Sequence, residues 1–519
     1  MKIKKIEIIE KQVSYEEIRE SLRPHNMDMN DQKIFKRIFW DGNFAGIFQF
    51  TNKGIRRLSM KIKPDCFNDV SAICSIYRPG PLYAGMDDMY AENKKKFQAG
   101  TLEFDHPILK EILQETYGTL IYQEQLMMAC NRLAGMSMAD TNKVRKLLLK
   151  KTKSADGTRE ADTKKFGDMF VDGVVKNAGM EKAYAEKMWE NFKAWSSYGF
   201  NASHSKCYSV MTMQCAYLAT YFPLEFYAAV LTVGQAGEMQ EYVSDIKRAG
   251  VKILPVDINK SKMAHVIEDG AIRLSLSSVL GVGPSAIEKI VAHQPYDDFL
   301  DFLDRSGVGK TAINPLILVG AFDSIDSVKN IKKLENFYEL YLANPKLKTK
   351  KMLNDKILMW GSFVNGELKD YEPHEKVFLE NSFMGFSIKG SPFEILDREK
   401  KVKALFDGVV VEYKEFVEGE LEVAMLPVVV KDFRERAQRN GQMMAFVKFG
   451  TQTGEEFDSP CFSSIWKWIS PRVKKGSVYV TTFNRKLDDP QNLVLGKPGF
   501  AHSMHSAQGY LINVDDITS

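Results

Sequence analysis

YGFNASHSKCYSVMTMQCAYLATY, residues Tyr198 to Tyr221, crowds small polar donors ahead of a long run without Gly or Pro. Asn201, Ser203, His204 and Ser205 stand at the entry, and nothing from Cys207 to Tyr221 interrupts a helix. Ser, Asn and Asp satisfy the free N–H groups of a first helical turn, and that same end attracts phosphate. Ser-His adjacency does not make a hydrolase, because sequence neighbours rarely have triad geometry and no G-x-S-x-G elbow occurs. Outward from this stretch the helical texture continues. From about Glu16 to Gly234, Pro and Gly separate runs such as Pro107 to Glu115 and Gln123 to Ala134.

Past Gly234 the texture changes. Val251 to Asp257 (VKILPVD) predicts a short strand stopped by Pro255, and Ile272 to Val279 alternates. Leu280-Gly281-Val282-Gly283 then leads into the helix PSAIEKIV, which carries Lys289, and Leu318-Val319-Gly320-Ala321 closes a helix from Asn314. The two segments read as halves of a tandem helical repeat. Gly281-Val282-Gly283 has the shape of a helix-hairpin-helix turn, whose glycines let backbone N–H groups reach a DNA phosphate, although any short helical hairpin can use two glycines. Glu335 to Lys376 is polar, with Lys346, Lys348, Lys350 and Lys351 close together, and reads as a linker or exposed helices. From Phe406, runs such as GVVVEYKEF, VAMLPVVVKDF, MMAFVKF and GSVYVTTF are separated by Asn440-Gly441, Thr453-Gly454 and Gly476. About five short strands with aromatic and basic side chains fit an OB-fold-like barrel that binds single-stranded nucleic acid, or a barrel that only packs against its neighbours.

Two further segments could carry chemistry. Thr141 to Lys153 (TNKVRKLLLKKTK) holds Lys143, Arg145, Lys146, Lys150, Lys151 and Lys153 without an acid. At 100° per residue Lys143, Lys146, Lys150 and Lys153 share an arc of roughly 80°, while Val144, Leu147 and Leu148 can face a core. Lys151 falls on that apolar arc, so the helix should end near it, and Ser137 and Asp140 have capping-box spacing at its start. A solvated lysine face and a phosphate-binding stripe both fit. In SIYRPGPL (Ser75 to Leu82), Pro79, Gly80 and Pro81 stiffen the chain that presents Arg78, which suits phosphate or a surface arginine on a rigid loop.

Composition bounds rather than names the function. The 519 residues allow three or four domains, and 44% hydrophobic with 27% charged residues is globular. Lys+Arg 71 against Asp+Glu 67 gives a net charge of +4, so any polyanion must be met by local clusters. Cys66, Cys74, Cys130, Cys207, Cys215 and Cys461 form no C-x-x-C pair, as expected of reduced intracellular thiols. His502 and His505 lack an adjacent carboxylate or thiol, so no metal site is assigned. No apolar run approaches the ~20 residues of a membrane span.

Taken together, the segments resemble the bacterial DNA polymerase III alpha subunit, the C-family of DNA polymerases, over most of the chain. GIFQFTNKGIRRL (Gly46 to Leu58), SAICSIYRPGPL (Ser71 to Leu82), YGTLIYQEQLM (Tyr117 to Met127), VRKLLLKK (Val144 to Lys151) and YGFNASHSKCY are similar to successive fingers motifs in family order. YFPLEFYAAVL (Tyr221 to Leu231), VKILPVDIN (Val251 to Asn259) and LVGAFDSI (Leu318 to Ile325) resemble the end of the fingers and the helix-hairpin-helix, clamp-associated domain. NGQMMAFVKF (Asn440 to Phe449) resembles part of the OB domain. The resemblance implies a multidomain α+β fold: helical fingers over 1–235, helix-hairpin-helix domain over 236–334, linker and exposed helices over 335–404, OB-like barrel over 405–500 and a tail over 501–519.

The same resemblance implies nucleotide-binding roles for Arg78, Arg145, Lys146, Lys150, Asn201, Ser203, His204 and Ser205, positioning roles for Gln123 and Glu124, and DNA contact by Gly281, Val282, Gly283 and Lys289. Lys146 replaces the second of two family arginines and loses the planar fork, Leu149 stands where glycine is usual, and Thr51 stands at the carboxylate of F-Q-x-E. Polymerase chemistry needs carboxylates on two Mg²⁺ ions, and no D-x-D occurs. Asp87-Asp88, Asp297-Asp298, Asp488-Asp489 and Asp515-Asp516 stand in contexts unlike the palm motif, so no catalytic or metal residue is assigned. The expectation is a subunit of a split replicative polymerase, with Mg²⁺ held mainly by a palm-bearing partner chain and with dNTP, primer-template DNA and a sliding clamp as further partners. The implied setting is the cytoplasm of a bacterial or phage-infected cell. A catalytically silent DNA-binding protein derived from such a polymerase is the alternative, and a fragment or an interrupted gene is the third.

Overall fold

Asn52, Ser137, Asn201, Asp298 and Asn330 each cap the start of a helix by accepting a backbone N–H with the side chain, so short polar residues punctuate this chain as their chemistry dictates. The computed structural model describes residues 14–149, 158–195, 198–234, 238–325, 329–344, 358–362, 366–371, 373–390, 413–418, 423–438, 441–451, 455–463, 466–467, 470, 473, 478–486, 489–495 and 512–513. They form two compact units. The first comprises residues 1–230 with 245–251, and the second comprises 231–244 with 252–519. None of the described helices is long and apolar enough to cross a membrane.

Unit 1 is helical. Its elements run α1 (Tyr15–Ser21), α2 (Gln32–Ile34), α3 (Lys53–Ile62), α4 (Phe67–Ile76), α5 (Pro79–Tyr83), α6 (Met86–Gln98), α7 (Pro107–Leu113), α8 (Gln123–Met128), α9 (Met138–Leu149), α10 (Thr158–Ala178), α11 (Lys182–Trp195), α12 (Ala202–Tyr221) and α13 (Pro223–Val233). Around α4 and α12 the core is made of small residues: Ser71, Ala72 and Ser75 on one, Ser205, Ser209, Thr212, Ala216 and Ala219 on the other, all buried. A second core sets Phe39 edge to face with Phe50 at 5.2 Å and stacks Phe44 on Phe50 at 6.0 Å. Asp69 is fully buried, and burial alone would raise its pKa, but Lys94 at 2.5 Å and the Tyr90 hydroxyl at 2.7 Å hold it below the ordinary carboxylate value.

Unit 2 starts with α14 (Met239–Arg248), whose last turn belongs to unit 1, and with three strands β1 (Lys252–Leu254), β2 (Val266–Glu268) and β3 (Ala271–Arg273). They pair in the order β1-β3-β2, β1 parallel and β2 antiparallel to β3. The strand expected over Val251 to Asp257 thus narrows to three residues. Then come α15 (Pro284–Ala292), α16 (Phe299–Arg305), α17 (Lys310–Leu318), α18 (Ile331–Ala343), α19 (Pro373–Met384) and α20 (Tyr413–Glu418). The polar span read as linker contains packed helix: α18 buries Leu334, Phe337, Tyr338 and Tyr341, with Phe337 4.8 Å from Trp360. Spacings of three and four residues give α18 one apolar stripe. Lys346, Lys348, Lys350 and Lys351 lie outside the described residues.

The C-terminal part is one antiparallel sheet of β4 (Val423–Ala437), β5 (Met443–Gly450), β6 (Glu456–Cys461), β7 (Val478–Lys486), β8 (Asp489–Leu495) and β9 (Ile512–Asn513). The order β6-β5-β4-β7-β8, with β9 on β7, is an open path among the described residues, so the closed barrel expected from the sequence is not formed there. β4 pairs through Val429–Ala437 with β5 and through Val423–Val429 with β7, so each half of this long strand serves a different neighbour. One face buries Leu426, Val428, Val430, Val447, Phe449, Tyr479 and Phe483. Part of the expected tail, Ile512–Asn513, pairs with this sheet, while His502, His505 and Gly476 lie outside the described residues.

Candidate functional site

In unit 1 a short parallel bridge joins Tyr122 to Phe200: the Phe200 N–H donates to the Ile121 carbonyl at 3.0 Å, and the Gln123 N–H to the Phe200 carbonyl at 2.8 Å. This pairing lays the entry of α12 beside the entry of α8. Asn201 caps α12, its Oδ1 accepting the His204 N–H at 2.8 Å and the Ser203 hydroxyl at 2.7 Å. The Glu124 carboxylate accepts the Ala202 N–H at 3.0 Å and the Asn201 side-chain amide at 2.8 Å. A carboxylate of this chain therefore already occupies part of the helix end that the sequence offered to phosphate.

Arg78 is mounted from the other side. Its Nε donates to the Ser75 carbonyl at 2.8 Å, its Nη2 to the Tyr198 carbonyl at 2.7 Å, and its guanidinium carbon lies 4.4 Å from the Phe200 ring centroid. Half-burial pulls its pKa below the usual arginine value. Gly80 is needed close by, since a Cβ there would meet the Tyr198 ring at 2.5 Å. Arg145, half-buried on α9, donates to Asn142 Oδ1 at 3.0 Å and to Gln123 Oε1 at 3.2 Å, while the Gln123 amide donates to the Gly199 carbonyl at 3.2 Å. Lys146 is exposed one residue on, and Lys150 lies outside the described residues. The Ser137 and Asp140 pairing is present, with the Asp140 N–H on the Ser137 hydroxyl at 3.1 Å.

Arg78, Gln123, Glu124, Asn201, Ser203 and His204 thus stand at the starts of helices that meet at one junction, which Arg145 reaches from within α9. Ser205 does not point the same way. It is buried, its hydroxyl donating to the Ser71 carbonyl at 2.8 Å and lying 2.9 Å from Ser71 Oγ and 2.8 Å from Ser75 Oγ. Tyr122 closes this network at 2.9 Å from Ser71 Oγ, and burial pushes its phenol pKa up. Ser205 locks α12 to α4, a place in which it positions its neighbours.

Unit 2 carries its own candidate. Gly281 has φ +91° and Gly283 is the extended N-cap of α15, with no side-chain cap. A Cβ on Gly281 would lie 2.8 Å from the Thr311 carbonyl oxygen, whereas one on Gly283 would meet nothing within 4 Å. The expected partner repeat at Leu318 to Ala321 is a helix end instead: Val319 is the C-cap of α17 and Gly320 has φ +79°. The true counterpart is Gly307-Val308-Gly309, which sequence reading missed. Gly307 has φ +62°, Gly309 is the extended N-cap of α17, neither Cβ would meet anything within 4 Å, and Lys289 Nζ lies 3.5 Å from the Gly307 carbonyl oxygen. The repeated tripeptide GVG ahead of a helix was the available signal.

On the sheet, Phe446 is exposed between Arg434 on β4 and Pro460 on β6, and Lys448 is paired with Asp432 and Asp458 in register. Gln442 to Phe446 runs into β5. For metals, Asp65, Cys66 and Asp69 are the one close group of possible ligands among the described residues. The Lys94 ammonium, 3.1 Å from Asp65 and 2.5 Å from Asp69, already satisfies it, and burial pushes the Cys66 thiol up to about 11. A cation in the middle of the donor set does not fit a Mg²⁺ site. Asp87 and Asp88 pair with Lys61 and Asp298 caps α16, so these three acids serve the structure, while Asp297 donates its backbone N–H to Asp301. Asp488, Asp515 and Asp516 lie outside the described residues.

Residues 3–177 match the family described as bacterial DNA polymerase III alpha subunit finger domain, and residues 250–331 match the helix-hairpin-helix motif. The first match contains Arg78, Gln123, Glu124, Arg145 and Lys146, and the second contains both GVG turns. The DNA polymerase III subunit alpha of Campylobacter jejuni is 31% identical over 387 residues, 71% of this chain and 31% of the relative. That of Aquifex aeolicus is 31% identical over 449 residues, covering 83% and 36%, and that of Bacillus subtilis 26% over 469 residues, covering 88% and 40%. The chain spans roughly a third of the length of these relatives.

Proposed function

We propose that this chain binds an incoming deoxynucleoside triphosphate and primer-template DNA during template-directed DNA synthesis. The observation that carries the reading is the junction in unit 1, where Arg78, Arg145, Asn201, Ser203 and His204 come together on rigid supports. In that reaction the primer hydroxyl attacks the α-phosphorus in line, and pyrophosphate leaves. Arg145 and Lys146 neutralise the triphosphate, Arg78 and His204 orient it, and Gln123, Glu124 and Ser205 hold those groups in place. Lys146 offers a point charge in place of a bidentate fork, so the phosphate grip there rests on Arg145. The carboxylates and Mg²⁺ belong in this proposal to a separate palm-bearing chain. Within the given residues no D-x-D occurs, and Asp87, Asp88 and Asp298 are engaged in ion pairs or a helix cap, so this proposal assigns none of them to the metals.

The two GVG turns and Lys289 serve duplex DNA through backbone N–H groups, and the face around Phe446, Arg434 and Lys448 serves the single strand in an OB-like manner. The setting is the cytoplasm of a bacterial or phage-infected cell, with a sliding clamp as a further partner. Lys146 favours one rival, a DNA-binding protein that no longer uses triphosphates. Isolation from the native source with its co-purifying chains, followed by Mg²⁺-dependent primer extension, separates the two. Extension that needs both chains and falls about 100-fold in Arg145→Ala/Lys146→Ala supports the proposal. A chain that binds DNA yet leaves extension unaffected by that double substitution overturns it.

A further inference from the structure

Phe200 lies where the 198–201 segment meets α8, Arg78 and α12, although its side chain has no polar group. Its carbonyl and N–H tie the 198–201 segment to Gln123 and Ile121. Its ring lies 4.4 Å from the Arg78 guanidinium and 5.5 Å from the His204 ring, which continues to Tyr208 at 4.5 Å and from there to Phe48 at 5.6 Å. Four planar groups after Arg78 therefore follow one another across three segments of chain.

The hydrogen bonds of Arg78 use Nε and one Nη2 proton, and Nη1 has no partner among the described residues. Two acceptors and one aromatic face leave the guanidinium no freedom to turn, and they leave Nη1 to take an anion. We infer that Phe200 is a positioning residue of the triphosphate site, its ring setting Arg78 and His204 at a fixed separation. The inference rests on the nucleotide reading of this junction. A leucine would fill much of the space but has no π face, so it loses the attraction to the cation and the flat surface against the imidazole. Tyrosine keeps both.

The full chain is titrated with dATP, and Arg78 is followed by phenylglyoxal modification with peptide mass spectrometry, exposed Arg57 serving as the internal reference. In the wild type Arg78 should react far more slowly than Arg57. Phe200→Leu should weaken dATP binding about tenfold and speed Arg78 modification several-fold, while Phe200→Tyr stays within about twofold of wild type. Phe200→Met replaces the leucine variant if that protein does not fold. Wild-type dATP affinity in a folded Leu or Met variant, or an Arg78 that reacts as fast as Arg57 in the wild type, overturns the inference. A wild type that binds no dATP while Arg78 still responds to the ring sinks the nucleotide reading and leaves the ring's hold on Arg78 standing, so the two failures are distinct.

Discussion

Around Asn201 each polar side chain is held by another side chain or by a carbonyl, whereas the turns at Gly281 and Gly307 take their shape from backbone alone. In unit 1 Glu124 holds Asn201, Gln123 holds Arg145, and two carbonyls with Phe200 hold Arg78. In unit 2 neither α15 nor α17 has a side-chain cap, and a glycine supplies the conformation on each occasion. Under the proposed function the first arrangement aims charged groups at a compact polyanion, with the aim set by buried packing. Under the same proposal the second brings main-chain N–H groups against a surface that needs no side-chain specificity. Substitutions should therefore act differently in the two regions: through lost partners in unit 1, and through backbone conformation or steric approach in unit 2.

The largest expected effect breaks a buried partner in unit 1. Lys94 is 2% exposed and holds Asp69, which is fully buried. Lys94→Met leaves that carboxylate without its counter-charge, at an expected cost of about 3–5 kcal/mol in denaturant unfolding of unit 1. Lys94→Met/Asp69→Asn should recover much of the loss, since both charges then go together. Next comes Ser205→Ala, which removes one hydrogen bond from each of the Ser71 and Ser75 hydroxyls, leaving them Tyr122 and the Ser71 carbonyl, and should cost about 1–2 kcal/mol. Duplex DNA affinity of the intact chain should be unchanged in a folded Ser205→Ala protein. A drop there would contradict the division of labour between the two regions.

These two cases also mark what the sequence could tell. Some helix limits were legible from a cap or a breaker, as at Ser137, Pro107 and Asn201, because such residues act on their own neighbours, whereas the caps Asn52, Asp298 and Asn330 were not read. The polar residues of NASHS were legible as a group, but not the side of α12 that each would take: Ser203 and His204 are exposed while Ser205 is buried. Phe200 escaped notice because its role is a contact with Arg78, 122 positions earlier in the chain. Gly307-Val308-Gly309 was missed because the second repeat was sought in a helix end carrying the same apolar residues, not in the same GVG turn. The stripe of α18 was cut by placing a boundary at Glu335, one residue after Leu334. Closure of a sheet depends on pairing between distant strands, which alternation within a strand does not encode.

The glycines of unit 2 sharpen the comparison. Gly281→Ala puts a Cβ on a residue at φ +91° and within 2.8 Å of the Thr311 carbonyl oxygen, so stability should fall by about 1–2 kcal/mol or more. Gly283→Ala and Gly309→Ala meet neither obstacle: φ is −77° and −97°, and no atom lies within 4 Å of the new Cβ. Their thermal midpoints should stay near wild type while duplex DNA affinity drops several-fold, because the methyl stands where a phosphate approaches. Unchanged duplex affinity in both variants would make the turns ordinary helical hairpins.

The smallest effect concerns a place in unit 2 where side chains do the holding as they do in unit 1. Hydrogen bonds from Arg273 and then Lys260 pull the Glu268 carboxyl from its ordinary 4.5 down to about 2. The folded value lies below the unfolded one, so the unfolded state takes up the proton first. The stabilisation is present above about pH 4.5 and is lost as pH falls toward 2. Glu268 keeps 20% of its side chain exposed and its partner Lys260 is exposed, so screening keeps the contribution small, and it should shrink further in high salt. Glu268→Gln removes the titrating group and should flatten this part of the pH profile of unit 2 unfolding, with little change at pH 7. If the wild-type and Glu268→Gln profiles run parallel between pH 4.5 and 2, the β2 and β3 pair is held by its backbone ladder, and the ion pairs of Glu268 add nothing of the kind that the Lys94 and Asp69 pair supplies in unit 1.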